Sequence, residues 1–314
     1  MILSLLLLFV GIFLVYIGSD KLVDGASALA KKLRVSDLLI GLTIVSFGTS
    51  APELAVNIVS SIKGTSDISL GNVIGSNIFN ILAVVGLSAI LREIAVKHST
   101  LRKETPLSLI AAIALLALGN KTPSVISRGD GVVLLLFFSI FISYVLEMAK
   151  TDREFFEESE KLKEKELSLP VSLFYILFGL AGLVFGGRWI VSGAVDVARY
   201  FGVSEKLIGL TIVAAGTSIP ELATSLVAAA KGNSEISLGN VVGSNIFNIF
   251  FILGISSVIR PINYPAVLNF DIIILIAITV LLLFFSANFK ISRKEGIIFF
   301  AIYILYTVYI ILRK

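Results

Sequence analysis

Residues 35–94 recur in a recognisable second copy as residues 203–262. The two copies align at a constant offset of 168 without a gap, and roughly 37 of the 60 positions are identical. Self-similarity at a fixed period marks a fold assembled from copies of one unit. Both copies lie in sequence apolar enough to cross a bilayer, which takes about 20 residues per helix. The region from Met1 to Ile17 carries no charge, and Val267 to Asn288 carries only Asp271. The whole chain is 56% hydrophobic and 15% charged, against roughly 25% charged for soluble domains. A polytopic membrane protein is the class this pattern permits.

Ten apolar segments can be marked, at about 2–30, 37–61, 67–91, 105–119, 130–149, 168–198, 205–229, 235–259, 267–288 and 295–312. The predicted fold is all-α, with ten transmembrane helices. A polar stretch, Lys150 to Glu166, divides the segments five and five. The expected organisation is a first repeat unit at 1–149, a cytoplasmic linker at 150–167, too short to hold a folded regulatory domain, and a second unit at 168–314. Five spans per half is an odd number, so the second unit should enter the membrane upside down relative to the first. Inverted repeats of this kind are a transporter architecture, with the substrate site at the repeat interface near the bilayer midplane. Loops after odd-numbered segments hold about 16 Lys and Arg, and the opposite loops with the C-terminus about 8. Positively charged loops stay inside, which predicts a cell-membrane protein with both termini extracellular. The net charge of +4 is spread over loops, with no basic stripe for nucleic acid. The lipid bilayer is the expected partner, and no obligatory protein partner is called for.

The duplicated motifs carry charge where charge is expensive. GTSAPEL (Gly48 to Leu54) and GTSIPEL (Gly216 to Leu222) put Glu53 and Glu221 deep within apolar segments. A carboxylate at the centre of a membrane helix costs about 2.5–3.5 kcal/mol on insertion scales. Pro52 and Pro220 lack an N–H, so the carbonyls of Gly48 and Gly216 lose their helical partners and become free to ligate a cation. The spacing of Thr49 and Ser50 to Glu53 predicts that both hydroxyls lie near that carboxylate; Thr217 and Ser218 repeat the arrangement toward Glu221. A second motif pair, SLGNVIGSNIFNI (Ser69 to Ile81) and SLGNVVGSNIFNI (Ser237 to Ile249), places Asn72, Ser76 and Asn80, and Asn240, Ser244 and Asn248, on one helix face each. Asn77 and Asn245 stand beside these stripes. The GxxxG glycines, Gly71 with Gly75 and Gly239 with Gly243, are read mainly as packing positions. All the polar groups are oxygen donors or amides. Hard cations such as Ca²⁺ take six to eight oxygens, two glutamates balance one divalent charge, and the lack of His and Cys at the site disfavours zinc and copper.

At these residues the chain resembles the sodium/calcium exchanger family of the calcium/cation antiporter superfamily, in its short prokaryotic form without regulatory domains. The resemblance covers both repeats and the ten-span layout. It implies Na⁺/Ca²⁺ antiport by alternating access, with Ca²⁺ and Na⁺ as transported ions, no cofactor, and three Na⁺ exchanged per Ca²⁺. It implies that Glu53 and Glu221 are the central cation ligands, and that Thr49 and Thr217 coordinate through hydroxyl and carbonyl. Backbone carbonyls of Ser46 and Ala214 would face sodium. Ser76 and Ser244 would line outer sodium positions, and Asn80 and Asn248 would lie between the glutamates. Potassium-dependent relatives carry Asp at the position of Asn248, so potassium-independent, electrogenic exchange is expected. The first and sixth segments, with polar residues Asp20, Lys21, Asp24, Arg188 and Asp196 at their ends, are expected to slide as a gating pair. Proton-coupled Ca²⁺ exchange and a cation channel are the alternatives. An enzyme is not expected: Ser50 or Ser218 would need a base, and the one histidine, His98, lies in a loop.

Overall fold

A computed structural model describes residues 2–64, 66–158, 167–203 and 216–313. The chain is almost wholly helical. In order, the helices are α1 (Ile2–Leu33), α2 (Asp37–Thr49), α3 (Ala51–Lys63), α4 (Ser69–Leu91), α5 (Thr105–Gly119), α6 (Arg128–Glu158), α7 (Leu169–Tyr200), α8 (Ile219–Ala230), α9 (Ser234–Ile259), α10 (Leu268–Ser286) and α11 (Arg293–Leu312). Among the described residues, seven helices are long and apolar enough to cross a membrane; an eighth span is the pair α2 and α3, bent by 47°. The protein is a multi-pass membrane protein. The predicted segment 205–229 falls partly outside the described residues, which resume at Gly216 just before α8.

Burial sorts the helices into layers. In α4 and α9, 83% and 78% of the apolar window is covered by protein, against 17% in α6 and 11% in α11. The duplicated asparagine-rich motifs therefore sit in the two central helices, and the uniformly apolar helices face lipid. Seams of aromatic rings close the central layer. Phe47 of α2 stacks on Phe247 of α9 at 4.5 Å, and Phe138 of α6 meets Phe251 at 4.9 Å.

The helix ends are tied by two small antiparallel ribbons. β1 (Ile94–Ala95) pairs with β4 (Lys290–Ile291), and β2 (Val125–Ile126) pairs with β3 (Ile262–Asn263). Ile94 and Ile262 are 168 residues apart, so the two ribbons repeat the duplication.

Helices α1 and α7 run antiparallel along their full length, and glycine sets how closely. Gly11, Gly18 and Gly25 are spaced by seven on α1, and Gly179, Gly186 and Gly193 by seven on α7. A Cβ placed on Gly18 would stand 2.9 Å from the Gly179 carbonyl oxygen, and one on Gly11 2.8 Å from that of Gly186. At the seam's ends Gly25 meets Ser172 and Gly193 meets Ser4 at 2.8 and 2.5 Å. Without a hydrophobic driving force between helices in lipid, such close backbone approach supplies the packing energy. The glycines of α4 and α9 are less uniform. Gly239 and Gly243 abut α2, as packing glycines should, at 3.1 and 2.7 Å from carbonyl oxygens. Nothing described lies within 4 Å of a Cβ on Gly71 or Gly75; the residues equivalent to Leu38 and Leu42, at 206 and 210, lie outside the described residues.

Candidate functional site

The site grows out of two helix breaks. At Ser50 the backbone leaves the helix (φ −83°, ψ 9°), and at Ser218 it does so with nearly the same geometry (φ −92°, ψ 8°). Pro52 and Pro220 then occupy the opening turns of α3 and α8, where a missing N–H costs nothing. Each break has electrostatic consequences. Glu53 and Glu221 lie in the first turns of α3 and α8, at the positive end of the new helix dipole. The carbonyls that end α2 point the negative end of its dipole at the same place.

Both glutamates are fully buried. No Lys or Arg among the described residues pairs with either. Each carboxylate is held instead by a serine from the other half. Ser50 Oγ donates to Glu221 Oε1 at 2.8 Å, and Ser218 Oγ donates to Glu53 Oε1 at 3.2 Å. This corrects the expectation from helical spacing that Ser50 and Thr49 serve Glu53. The break rotates Ser50 across the interface, and Thr49 Oγ1 turns to the Ser46 carbonyl and to Asn240 Oδ1 at 3.2 and 3.0 Å. Thr217 Oγ1 lies 3.4 Å from Asn72 Oδ1, the equivalent pairing 168 residues displaced.

The amides form a second reciprocal set. Asn77 Nδ2 donates to the Asn245 carbonyl at 3.1 Å, and Asn245 Nδ2 to the Asn77 carbonyl at 3.3 Å. Asn80 Nδ2 then donates to Asn245 Oδ1 and Asn248 Nδ2 to Asn77 Oδ1, at 3.1 and 2.9 Å. Both Asn80 and Asn248 lie in widened π-helical turns, Asn80–Val85 and Phe247–Leu253, a distortion often found at functional sites. Ser76 Oγ is 3.0 Å from Ser218 Oγ and 3.4 Å from Glu53 Oε1, while Ser244 Oγ donates to the Ser46 carbonyl at 3.4 Å. The expected site residues within the described range fall into three hydrogen-bonded sets: Glu53, Ser218, Ser76, Asn77, Asn80, Asn245 and Asn248 in one, Glu221, Ser50, Thr49, Ser46 and Ser244 with Asn240 in another, and Thr217 with Asn72 in the third; Ala214 lies outside the described residues. Asn72 and Asn240 enter these sets as partners of the threonines, a role that their place in the polar stripe signals. Asn57, which donates to the Glu53 carbonyl at 2.8 Å, escapes the sequence reading, although its i+4 spacing from Glu53 marks it.

The sets are incomplete in a patterned way. Glu53 Oε2, Glu221 Oε2, Asn80 Oδ1 and Asn248 Oδ1 are all buried without a hydrogen-bond partner, as are Asn57 Oδ1 and Asn72 Nδ2 beside them. The first four are two equivalent pairs of acceptors. A buried polar atom left unpaired costs about 1–3 kcal/mol, more when charged, and four together call for a positive ligand. Two carboxylates are the whole acidic complement: among the described residues no cluster of three Asp, Glu, His or Cys could hold a metal. The donor set is oxygen only, the chemistry of hard cations.

Comparison with known proteins agrees with this geometry. The family model described as sodium/calcium exchanger protein matches residues 3–147 and 171–312. The chain belongs to the sodium/calcium exchanger family. It is 33% identical to the sodium/calcium exchanger MaX1 of Methanosarcina acetivorans, over 97% of each chain. It is 37% identical to the inner membrane protein YrbG of Escherichia coli (strain K12), over 83% of this chain and 81% of that one. The fold superposes with a TM-score of 0.85 on the sodium-calcium exchanger NCX_Mj soaked with zero Na⁺ and Ca²⁺, at 35% identity over 98% of this chain and 99% of that one. With 2.5 mM Na⁺ and 0.1 mM Ca²⁺ in the soak the TM-score is 0.86. As a member of this family the chain is built for cation transport across a membrane.

Proposed function

We propose that this protein is a Na⁺/Ca²⁺ antiporter working by alternating access, with Glu53 and Glu221 as shared ligands of the two ions. The observation that carries the reading is the set of four partnerless, buried acceptor oxygens drawn in equal number from the two duplicated motifs. With both glutamates ionised, the empty site holds a charge of −2 beside two helix ends. One Ca²⁺ neutralises it. Sodium ions would occupy the same oxygens with help from the carbonyls of Ser46 and Ala214 and the hydroxyls of Thr49, Thr217, Ser76 and Ser244. The two ions therefore compete. A bare pair of carboxylates resists reorganisation across a low-dielectric barrier, whereas a neutralised pair does not, and this couples the fluxes.

The repeat units 1–149 and 168–314 act in this scheme as two halves of opposite orientation, joined by the linker 150–167, with ten spans in all and both termini outside the cell membrane. Helices α1 and α7 slide together against the central layer. Three Na⁺ against one Ca²⁺ moves one net charge per cycle, worth about 2.3 kcal/mol per 100 mV. Asn248 in place of a third acid supports potassium independence. A monomer suffices, because both halves of the site come from one chain.

Radiocalcium uptake into proteoliposomes, with outward Na⁺, K⁺ and H⁺ gradients imposed one at a time, tests the assignment. Uptake should follow the Na⁺ gradient. It should also grow when the vesicle interior is made positive, because three Na⁺ leaving for one Ca²⁺ entering carries net positive charge outward. Uptake driven by the pH gradient and indifferent to Na⁺ would make the protein a proton-coupled exchanger. Flux without any counter-ion would make it a channel.

Removing one crossed serine should weaken cation binding without touching a carboxylate. Ser50→Ala deletes the 2.8 Å bond to Glu221 Oε1. A hydrogen bond to a charged group contributes about 1.5–3 kcal/mol, so the Ca²⁺ concentration for half-saturation should rise about tenfold or more. Equilibrium binding of radiocalcium to the purified protein measures it, and an unchanged curve would separate Ser50 from the site.

A further inference from the structure

The helix pair α1 and α7 is attached to the two halves of the site unequally. On α8, the only exposed residue is Ala230, at its end; Ile219, Ala223 and Val227 are partly covered, and α1 packs along this helix. The equivalent positions on α3, namely Ala51, Ala55, Val59 and Ile62, form an exposed stripe, and α3 leans on α4 and α9 instead. Where α1 passes the end of α8, charge fastens it. Lys231 Nζ lies 2.6 Å from Asp20 Oδ1 and 2.5 Å from Asp24 Oδ1, and it also donates to the Asp20 carbonyl at 3.1 Å. Lys21 sits 3.1 Å from Asp20 on the far side. Two residues on, Asn233 Nδ2 donates to Ser27 Oγ at 2.9 Å and to Asp37 Oδ2 at 2.6 Å. Gly232 makes this turn with φ +83°.

The sequence duplication repeats the lysine of this fastening but not its two acidic partners. Moving each residue by 168 turns Lys231 into Lys63, Asp20 into Arg188, Asp24 into Ser192 and Ser27 into Val195. The lysine is kept on both copies, but both of its acidic partners are replaced and one becomes a like charge. We propose that Lys231 with Asp20 and Asp24 is a one-sided electrostatic latch that holds α1 and α7 docked on α8. The pair would dock on α3 in the opposite state without an equivalent latch. The bias between the two facing states is thus written in side chains that belong to neither the carboxylate pair nor the amide network. This inference rests on the alternating-access reading, but its test does not require transport.

The protein has no cysteine, so paired spin labels can be placed cleanly. Lys32, at the end of α1, and Leu91, beside the Arg92 guanidinium that reaches the Ala230 carbonyl, are both exposed near the latch. Their distance distribution, measured by pulsed electron resonance over a Na⁺ and Ca²⁺ titration, reports docking. Partly exposed ion pairs contribute modestly, so Lys231→Ala, or Asp20→Asn with Asp24→Asn, should lower the ratio of docked to undocked populations about three- to tenfold. Combining Lys231→Asp with Asp24→Lys should recover it, and Arg188→Asp, which offers Lys63 a partner, should shift the ratio the same way as the losses. Populations that are unchanged in all these variants, or a single distance in every protein and every ion condition, would overturn the latch. Failure of Na⁺-driven uptake with intact distance shifts would overturn the exchanger reading and leave the latch standing.

Discussion

Glu53→Gln and Glu221→Gln should each abolish Na⁺-dependent Ca²⁺ uptake, by at least about a hundredfold, while the protein still inserts and folds. Glutamine keeps the size of the side chain and an oxygen to accept from Ser50 or Ser218, so the crossed bonds that close the interface persist. What disappears is one of the two negative charges that balance a divalent ion. Separating a buried charge from its partner costs about 3–5 kcal/mol, and about 2.7 kcal/mol already corresponds to a hundredfold in affinity. The same substitutions carry an opposite signature in the absence of ions. Both carboxylates are fully buried, with Oε2 unpartnered, so neutralising one should raise the melting temperature of the ion-free protein in detergent. Ca²⁺ should then add little further protection to the variant, whereas it should protect the unaltered protein strongly. Normal uptake by either variant would remove that glutamate from the site.

The second large effect is expected from the glycine seam. Gly18→Leu or Gly186→Leu forces a side chain between helices that have no room for it. Even a Cβ would lie 2.9 Å from the partner helix's carbonyl oxygen at Gly18 and 2.8 Å at Gly186. Backbone cannot yield as a side-chain tip does, so α1 and α7 must separate along much of their length. Overpacking costs about 1–3 kcal/mol, and the forfeited close packing of the rest of the seam adds to it. The variants should melt several degrees lower and exchange ions slowly even where they fold. Gly182→Ala, whose Cβ would stand 3.2 Å from Gly18 Cα and from the Leu14 carbonyl oxygen, should show the same loss in smaller measure. A Gly18→Leu protein with unaltered melting and transport would show that the two helices do not move as a packed pair.

How much of this is legible in the sequence follows from the range of each interaction. The apolar segments, the helix breaks at Pro52 and Pro220, and the polar stripes of α4 and α9 are local. They depend on hydropathy, a missing N–H and helical spacing, and the described helices fall where those signals put them. Because the site motifs are duplicated in a membrane setting, the candidate residues can be named from both halves before any contact is known. The seven-residue glycine spacing is equally visible, but it acquires meaning only when two helices are known to be neighbours.

The direction of each side chain is a different matter. Helical spacing assigns Ser50 to Glu53, but a break that places ψ near 9° swings the hydroxyl to Glu221 instead. That bond spans 171 residues, and only the docking of the two halves creates it. The reciprocal Asn77–Asn245 pairs belong to the same class. So does the unequal seating of α1 and α7. A chain with duplicated motifs would suggest equal halves, yet a packed helix pair can rest against only one of them at a time. The sequence by itself determined that this is a duplicated, membrane-embedded chain with two buried acids and their oxygen neighbours. Only the tertiary structure decided which oxygens face one another across the halves and which half is covered, because both depend on long-range packing that local spacing does not encode.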